Sequence, residues 1–152
     1  MRLAQLHPAD IEMGLDRVRV VAERAGLHTS HCPVISVAGT NGKGSVVAGL
    51  VALYREAGFR SGSYTSPHIL QYNERICLSG EPVTDAVIIE AFEFLDQARA
   101  DIPLTYFEMS TLAALYIFRR EETDVTILEV GLGGRLDAVN VIDADVSVIT
   151  SI

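Results

Sequence analysis

The residues best suited to chemistry lie in one stretch, Val34-Ile35-Ser36-Val37-Ala38-Gly39-Thr40-Asn41-Gly42-Lys43-Gly44-Ser45. An apolar run gives way to three glycines within six positions and then to a helix-forming sequence. That order predicts a buried strand, a tight loop and a helix start. Gly39, Gly42 and Gly44 let the backbone curl and come close to a ligand. The loop N–H groups and the positive end of the helix then converge on one point, which suits a phosphate. Lys43 adds a mobile full charge and is the candidate catalytic residue, and Ser45 offers a hydroxyl for Mg²⁺. The chemistry implied is binding of ATP with Mg²⁺ by Thr40, Asn41, Gly42, Lys43, Gly44 and Ser45. The loop departs from the strict phosphate-loop pattern, because Gly44 rather than Ser or Thr follows Lys43.

A second candidate is Glu129, at the end of the β-branched run 125–130. A carboxylate there, in the same sheet as a phosphate loop, suits Mg²⁺; the plainer reading is a strand-end acid facing water. Between them lies 66–76, which has no clean period and mixes Pro, His, Asn, Glu and Arg with apolar residues. Irregular stretches of this length in compact domains are usually functional, though a plain surface loop is the alternative.

The elements that must hold these residues follow from spacing. Pro8, Ile11, Leu15, Val18 and Ala22 predict a helix over 8–25, ended by Gly26. A helix over 45–57 buries Val46, Leu50, Leu53 and Ala57, and 61–65 is a short strand. Thr84 caps a helix over 85–100 with Val87, Ile88, Ala91, Phe92 and Leu95 inward. A mostly apolar helix covers 107–119, and a last strand covers 145–150. Gly131, Gly133 and Gly134 make a turn. Apolar strands alternating with helices predict an α/β fold, a mostly parallel sheet with helices on both faces. Such sheets bind ligands at the carboxyl ends of their strands, where the phosphate loop, Ser66, Glu129 and the turn 131–137 all fall.

Composition narrows the function. The 152 residues make one domain's worth of chain, and 49% hydrophobic residues supply a core. The net charge of −8 argues against a nucleic-acid partner. No apolar run approaches the ~20 residues of a membrane span, and the start lacks a signal-peptide core, so a cytoplasmic protein is expected. Cys32 and Cys77 read as free thiols. His28, His31 and Cys32 crowd together without a matching second pair, which makes a metal site there a weak reading. No Ser-His-Asp arrangement or kinase signature is present.

Four motifs occur in order: Val37-Ala38-Gly39-Thr40-Asn41-Gly42-Lys43-Gly44-Ser45, Tyr64-Thr65-Ser66-Pro67-His68, Asn73-Glu74-Arg75-Ile76, and Leu128-Glu129-Val130-Gly131-Leu132-Gly133-Gly134-Arg135-Leu136-Asp137-Ala138-Val139-Asn140. Together they resemble the N-terminal ATPase domain of the bacterial dihydrofolate synthase/folylpolyglutamate synthase family, within the Mur ligase superfamily. The resemblance implies a phosphate-loop NTPase-like fold of the Mur ligase central-domain type. It implies an ATP-dependent amide ligase, in which a substrate carboxylate becomes an acyl phosphate and the amine of L-glutamate displaces phosphate. Dihydropteroate and reduced folates are the acceptors it implies. Lys43 then acts on the β and γ phosphate oxygens, while Ser66 and Glu129 match the family's Mg²⁺ ligands. The substrate side falls on Gly14, Leu15, Asp16, Arg17, His68, Arg75, Thr105, Tyr106, Phe107, Glu108, Leu136, Asp137 and Ala138. Val139 stands where the family usually has Thr.

The family's next loop carries a histidine ligand, and a carbamylated lysine and a glutamate-binding domain follow. None is in this sequence, so the expectation is an N-terminal domain over 1–152 that does not turn over alone and self-associates through a cut sheet edge. Two other readings stay open. One is a different Mur-type ligase, which the stretch 66–76 argues against. The other is a nucleotide-binding module without ligase activity.

Overall fold

The structure, a computed structural model, describes residues 14–132 and 134–152. Pro8 and Ile11 of the first expected helix lie outside the described residues, as does Gly133. The strands are β1 (Val34–Ala38), β2 (Ser61–Tyr64), β3 (Ile76–Leu78), β4 (Glu81–Pro82), β5 (Val125–Glu129) and β6 (Val146–Ile149). The helices are α1 (Asp16–Arg24), α2 (Lys43–Glu56), α3 (Asp85–Arg99) and α4 (Tyr106–Arg120). Six strands form one sheet in the order β4-β3-β2-β5-β1-β6. β2, β5, β1 and β6 run parallel, and β3 and β4 add an antiparallel margin.

Alternation along the strands builds two apolar layers. Ile35, Val37, Val125 and Ile127 face Val47 and Val51 of α2. Val34, Tyr64 and Leu128 face the other way and meet α1, α3 and α4. Helices therefore cover both faces, as expected. At Gly62 the ring of Phe118 presses so closely that a Cβ would lie 2.5 Å from it. This glycine is required by space, and it lets α4 sit down on β2.

Register brings the strand ends level. Val37 is opposite Glu129, Tyr64 opposite Leu128, and Ala38 opposite Ile149. The segments leaving β1, β2, β5 and β6 all emerge at one edge of the sheet, where such folds bind ligands.

Some local expectations need correction. The stretch 66–76 is not all irregular: it contains the 3-10 turn Tyr72–Arg75 and runs into β3. The β3–β4 hairpin is too short for periodicity to reveal. Its only local signal is Ser79-Gly80, where φ is 50° and 90°, the paired positive values of a tight hairpin turn. In α2 the inward residues are Val47 and Val51, while Leu53 is 69% exposed. That helix is apolar on most sides, so helical spacing fits two stripes, and the sheet selects one. Thr84 stands at the N-cap of α3, but its side chain accepts no capping bond. Among the described residues no helix is long and apolar enough to cross a membrane.

Candidate functional site

The phosphate-type loop joins β1 to α2. Gly42, at φ 83°, is the left-handed residue from which α2 starts, so the N–H groups of Lys43, Gly44 and Ser45 form the open first turn. Gly39 is glycine for two reasons. Its φ is 139°, and a Cβ would lie 2.0 Å from Thr150 Oγ1. The loop is fastened to the end of β6: Thr40 N–H donates to Ser151 O at 2.6 Å, and Thr150 Oγ1 donates to Asn41 O at 2.6 Å. Lys43 folds back over the loop, with Nζ donating to Gly39 O at 2.9 Å.

Ser66 and Glu129 come together at the same edge. Ser66 N–H donates to Glu129 Oε2 at 3.1 Å. Glu129 is only 6% exposed. Burial pushes its carboxyl above the usual range, and the Ser66 N–H and the Lys43 charge pull it back. Gly44, Ser66 and Glu129 line one cavity of about 520 Å³ between α2 and β2, with Ser63, Thr65 and Cys77 in its wall. The loop, the hydroxyl residue and the acid predicted from sequence thus share one site. Ser45 lies exposed in the first turn of α2. Among the described residues no group of three or more His, Cys, Asp or Glu side chains gathers to hold a metal.

The other face carries an aromatic cluster. Arg75 is buried and lies 5.8 Å from the Tyr72 ring centre and 5.5 Å from that of Tyr106. Its Nε donates to His68 Nδ1 at 2.8 Å, and it forms no ion pair with a described carboxylate. A buried guanidinium without a carboxylate is costly unless an anion visits it. Phe107 lies against Tyr64, whose hydroxyl is pushed up to about 12 by burial.

The remaining expected substrate residues have structural duties. Glu108 accepts from Arg17 Nε through both oxygens at 3.0 Å and from Thr105 N–H at 2.7 Å, closing a capping box with Thr105. Leu15 is buried in the core, Asp16 opens α1, and Gly14 has nothing within 4 Å of a built Cβ. Asp137 is buried, and its oxygens accept from the N–H groups of Gly131, Leu132 and Val139. Ala138 is buried and Leu136 is 46% exposed.

Thr150, expected in the last strand, lies just past β6, and with Ser151, which had no expected role, it braces the loop. A pair of hydroxyl residues just past an apolar strand was the available signal.

No protein-family model matches the chain. The dihydrofolate synthase/folylpolyglutamate synthase of Escherichia coli (strain K12) is 47% identical over 150 residues, which are 99% of this chain and 36% of that protein. Escherichia coli FolC in complex with DHPP and ADP superposes with a TM-score of 0.94 over 99% of this chain and 36% of that one, at 47% identity. The bifunctional enzyme of Yersinia pestis complexed with AMPPNP and Mn ion gives 0.93 at 49% identity, over 99% and 37%. The chain spans little more than a third of the length of these relatives. Over that span the chain is similar, in sequence and in fold, to members of the dihydrofolate synthase/folylpolyglutamate synthase family.

Proposed function

We propose that this chain supplies the nucleotide-binding part of an ATP-dependent ligase that joins L-glutamate to dihydropteroate or a reduced folate. The observation that carries the reading is the bond from Ser66 N–H to Glu129 at the mouth of the Lys43 loop. The relatives solved with ADP, or with AMPPNP and Mn ion, support ATP and Mg²⁺ as its cofactors. The donor set fits a hard cation: Glu129 Oε1 accepts no hydrogen bond from a described residue, and neither the Ser66 nor the Ser45 hydroxyl has a described partner. Bound there, Mg²⁺ neutralises phosphate charge and orients the γ-phosphate. The first-turn N–H groups of α2 hold phosphate oxygens. Lys43, which rests on Gly39 O, would hold the β and γ phosphate oxygens and supply positive charge there. Arg75, flanked by Tyr72 and Tyr106, holds the acceptor, with His68 orienting the guanidinium and Phe107 stacking beside it. Glu108, Arg17 and Thr105 keep the start of α4 in place, and Asp137 shapes the turn after β5.

The protein acts in the cytoplasm, without nucleic acid or membrane. Val146 and Ile149 stand exposed on β6, at the sheet edge, and support self-association; light scattering that finds only monomer at high concentration counts against it. The main test is calorimetric titration with ATP, with and without Mg²⁺, repeated with dihydropteroate present. Mg²⁺-dependent binding that dihydropteroate alters is expected. Binding indifferent to dihydropteroate favours a plain nucleotide module or another Mur-type ligase, and no nucleotide binding removes the proposal.

A further inference from the structure

Gly131 needs no special backbone conformation, since its φ lies outside the left-handed region. Space alone keeps it glycine. A Cβ built on it lies 3.0 Å from Phe107 Cζ, 3.2 Å from Phe107 Cε2 and 3.2 Å from Ser66 Oγ. Ordinary carbon contacts are about 3.5–4.0 Å, so one neighbour must give way. Gly131 itself is held: its N–H donates to Asp137 Oδ2 at 2.9 Å, Leu132 N–H to the same oxygen at 2.8 Å, and Val130 N–H to Val37 O at 2.9 Å. Phe107 is backed by the buried Tyr64, with 5.9 Å between ring centres, and sits in a capped first helical turn. Ser66 is partly exposed at the start of a loop, so its hydroxyl is the softer neighbour.

We infer that Gly131 is a positioning residue, whose bare Cα lets the Phe107 ring and the Ser66 hydroxyl flank one point and so fixes where that hydroxyl stands. The inference rests on the metal–nucleotide reading proposed above and extends it. Ring position at Phe107, on the acceptor side, and hydroxyl position at Ser66, on the metal side, are then coupled through a single backbone atom.

The test uses the 152-residue chain. Gly131→Ala is expected to lower ATP affinity in Mg²⁺ about tenfold, the scale on which misoriented metal ligands act. Affinity in EDTA stays unchanged. Phe107→Leu/Gly131→Ala removes the two crowding ring atoms but leaves the 3.2 Å approach to Ser66 Oγ, so most of the loss remains when measured against Phe107→Leu. The Ser66 amide resonance shifts in each variant relative to its Gly131 parent. A single variant that binds MgATP as before, or a double variant that binds as well as Phe107→Leu, overturns the inference. If the unsubstituted chain shows no Mg²⁺-dependent binding, the nucleotide reading fails instead. The Ser66 resonance then still judges the packing claim, and an unmoved resonance in Gly131→Ala rejects it.

Discussion

Replacing Glu129 by Gln separates the charge of the site from its shape. Gln retains an oxygen that can accept from Ser66 N–H, now 3.1 Å from Oε2, so the loop after β2 keeps its anchor. A charged hydrogen bond contributes about 1.5–3 kcal/mol and a neutral one about 0.5–1.5, so the swap costs roughly 1 kcal/mol. An opposing term comes from burial. The folded carboxyl titrates above its unfolded value. The fold is therefore favoured by the protonated form, and stability is lost as pH rises through the folded pKa. Gln removes that loss. At neutral pH the two effects oppose each other, and the thermal midpoint, which moves about 2–4 °C per kcal/mol for a chain of this size, reads their difference. Binding behaves differently, because a full negative charge beside the cation disappears. Affinity for ATP in Mg²⁺ is expected to fall at least about tenfold, while affinity in EDTA holds or rises. Differential scanning fluorimetry and calorimetric titration on one preparation read both quantities. Equal MgATP affinity in Glu129→Gln and parent, at equal stability, refutes a metal role for this carboxylate.

Gly62→Ala drives a methyl into the Phe118 ring and is expected to cost about 1–3 kcal/mol, lowering the midpoint by ~3–10 °C in a thermal melt. Glu74 accepts from the N–H groups of Ile69, Leu70 and Gln71, and those bonds hold its carboxyl below the usual range. The stabilisation is present above the unfolded carboxyl pKa and is lost as pH falls through the folded one. Hydrogen exchange at these three amides, corrected for intrinsic rates, should therefore speed up on acidification; Glu74→Gln should remove that pH dependence. Thr105→Ala deletes the side-chain acceptor for Glu108 N–H and is expected to cost about 1 kcal/mol in chemical denaturation.

How far the sequence spoke depended on how local each interaction is. The loop from Gly39 to Ser45 was legible because glycine spacing, an apolar strand and a helix start all lie within a dozen residues. Ser66 and Glu129 were legible as strand-end residues, since parallel strands in register end at one edge. The partners that set their geometry were not. Thr150 braces Asn41 across 109 positions, and Gly131 owes its identity to Phe107 and Ser66, distant in sequence. The resemblance puts Asp137 on the substrate side, yet the fold turns its oxygens onto three backbone N–H groups. The inward face of α2 failed for a related reason: an almost uniformly apolar helix carries no record of which side meets the sheet.

Convergence of the ends of β1, β2 and β5 on one metal-bound nucleotide underlies the proposed function. Its most direct test is the anomalous density of Mn²⁺ in crystals of this chain grown with a non-hydrolysable ATP analogue. One manganese peak is expected in coordinating contact with Ser66 Oγ and Glu129, beside phosphates held over Lys43. A peak elsewhere, or phosphates seated away from the turn at Gly42, contradicts it.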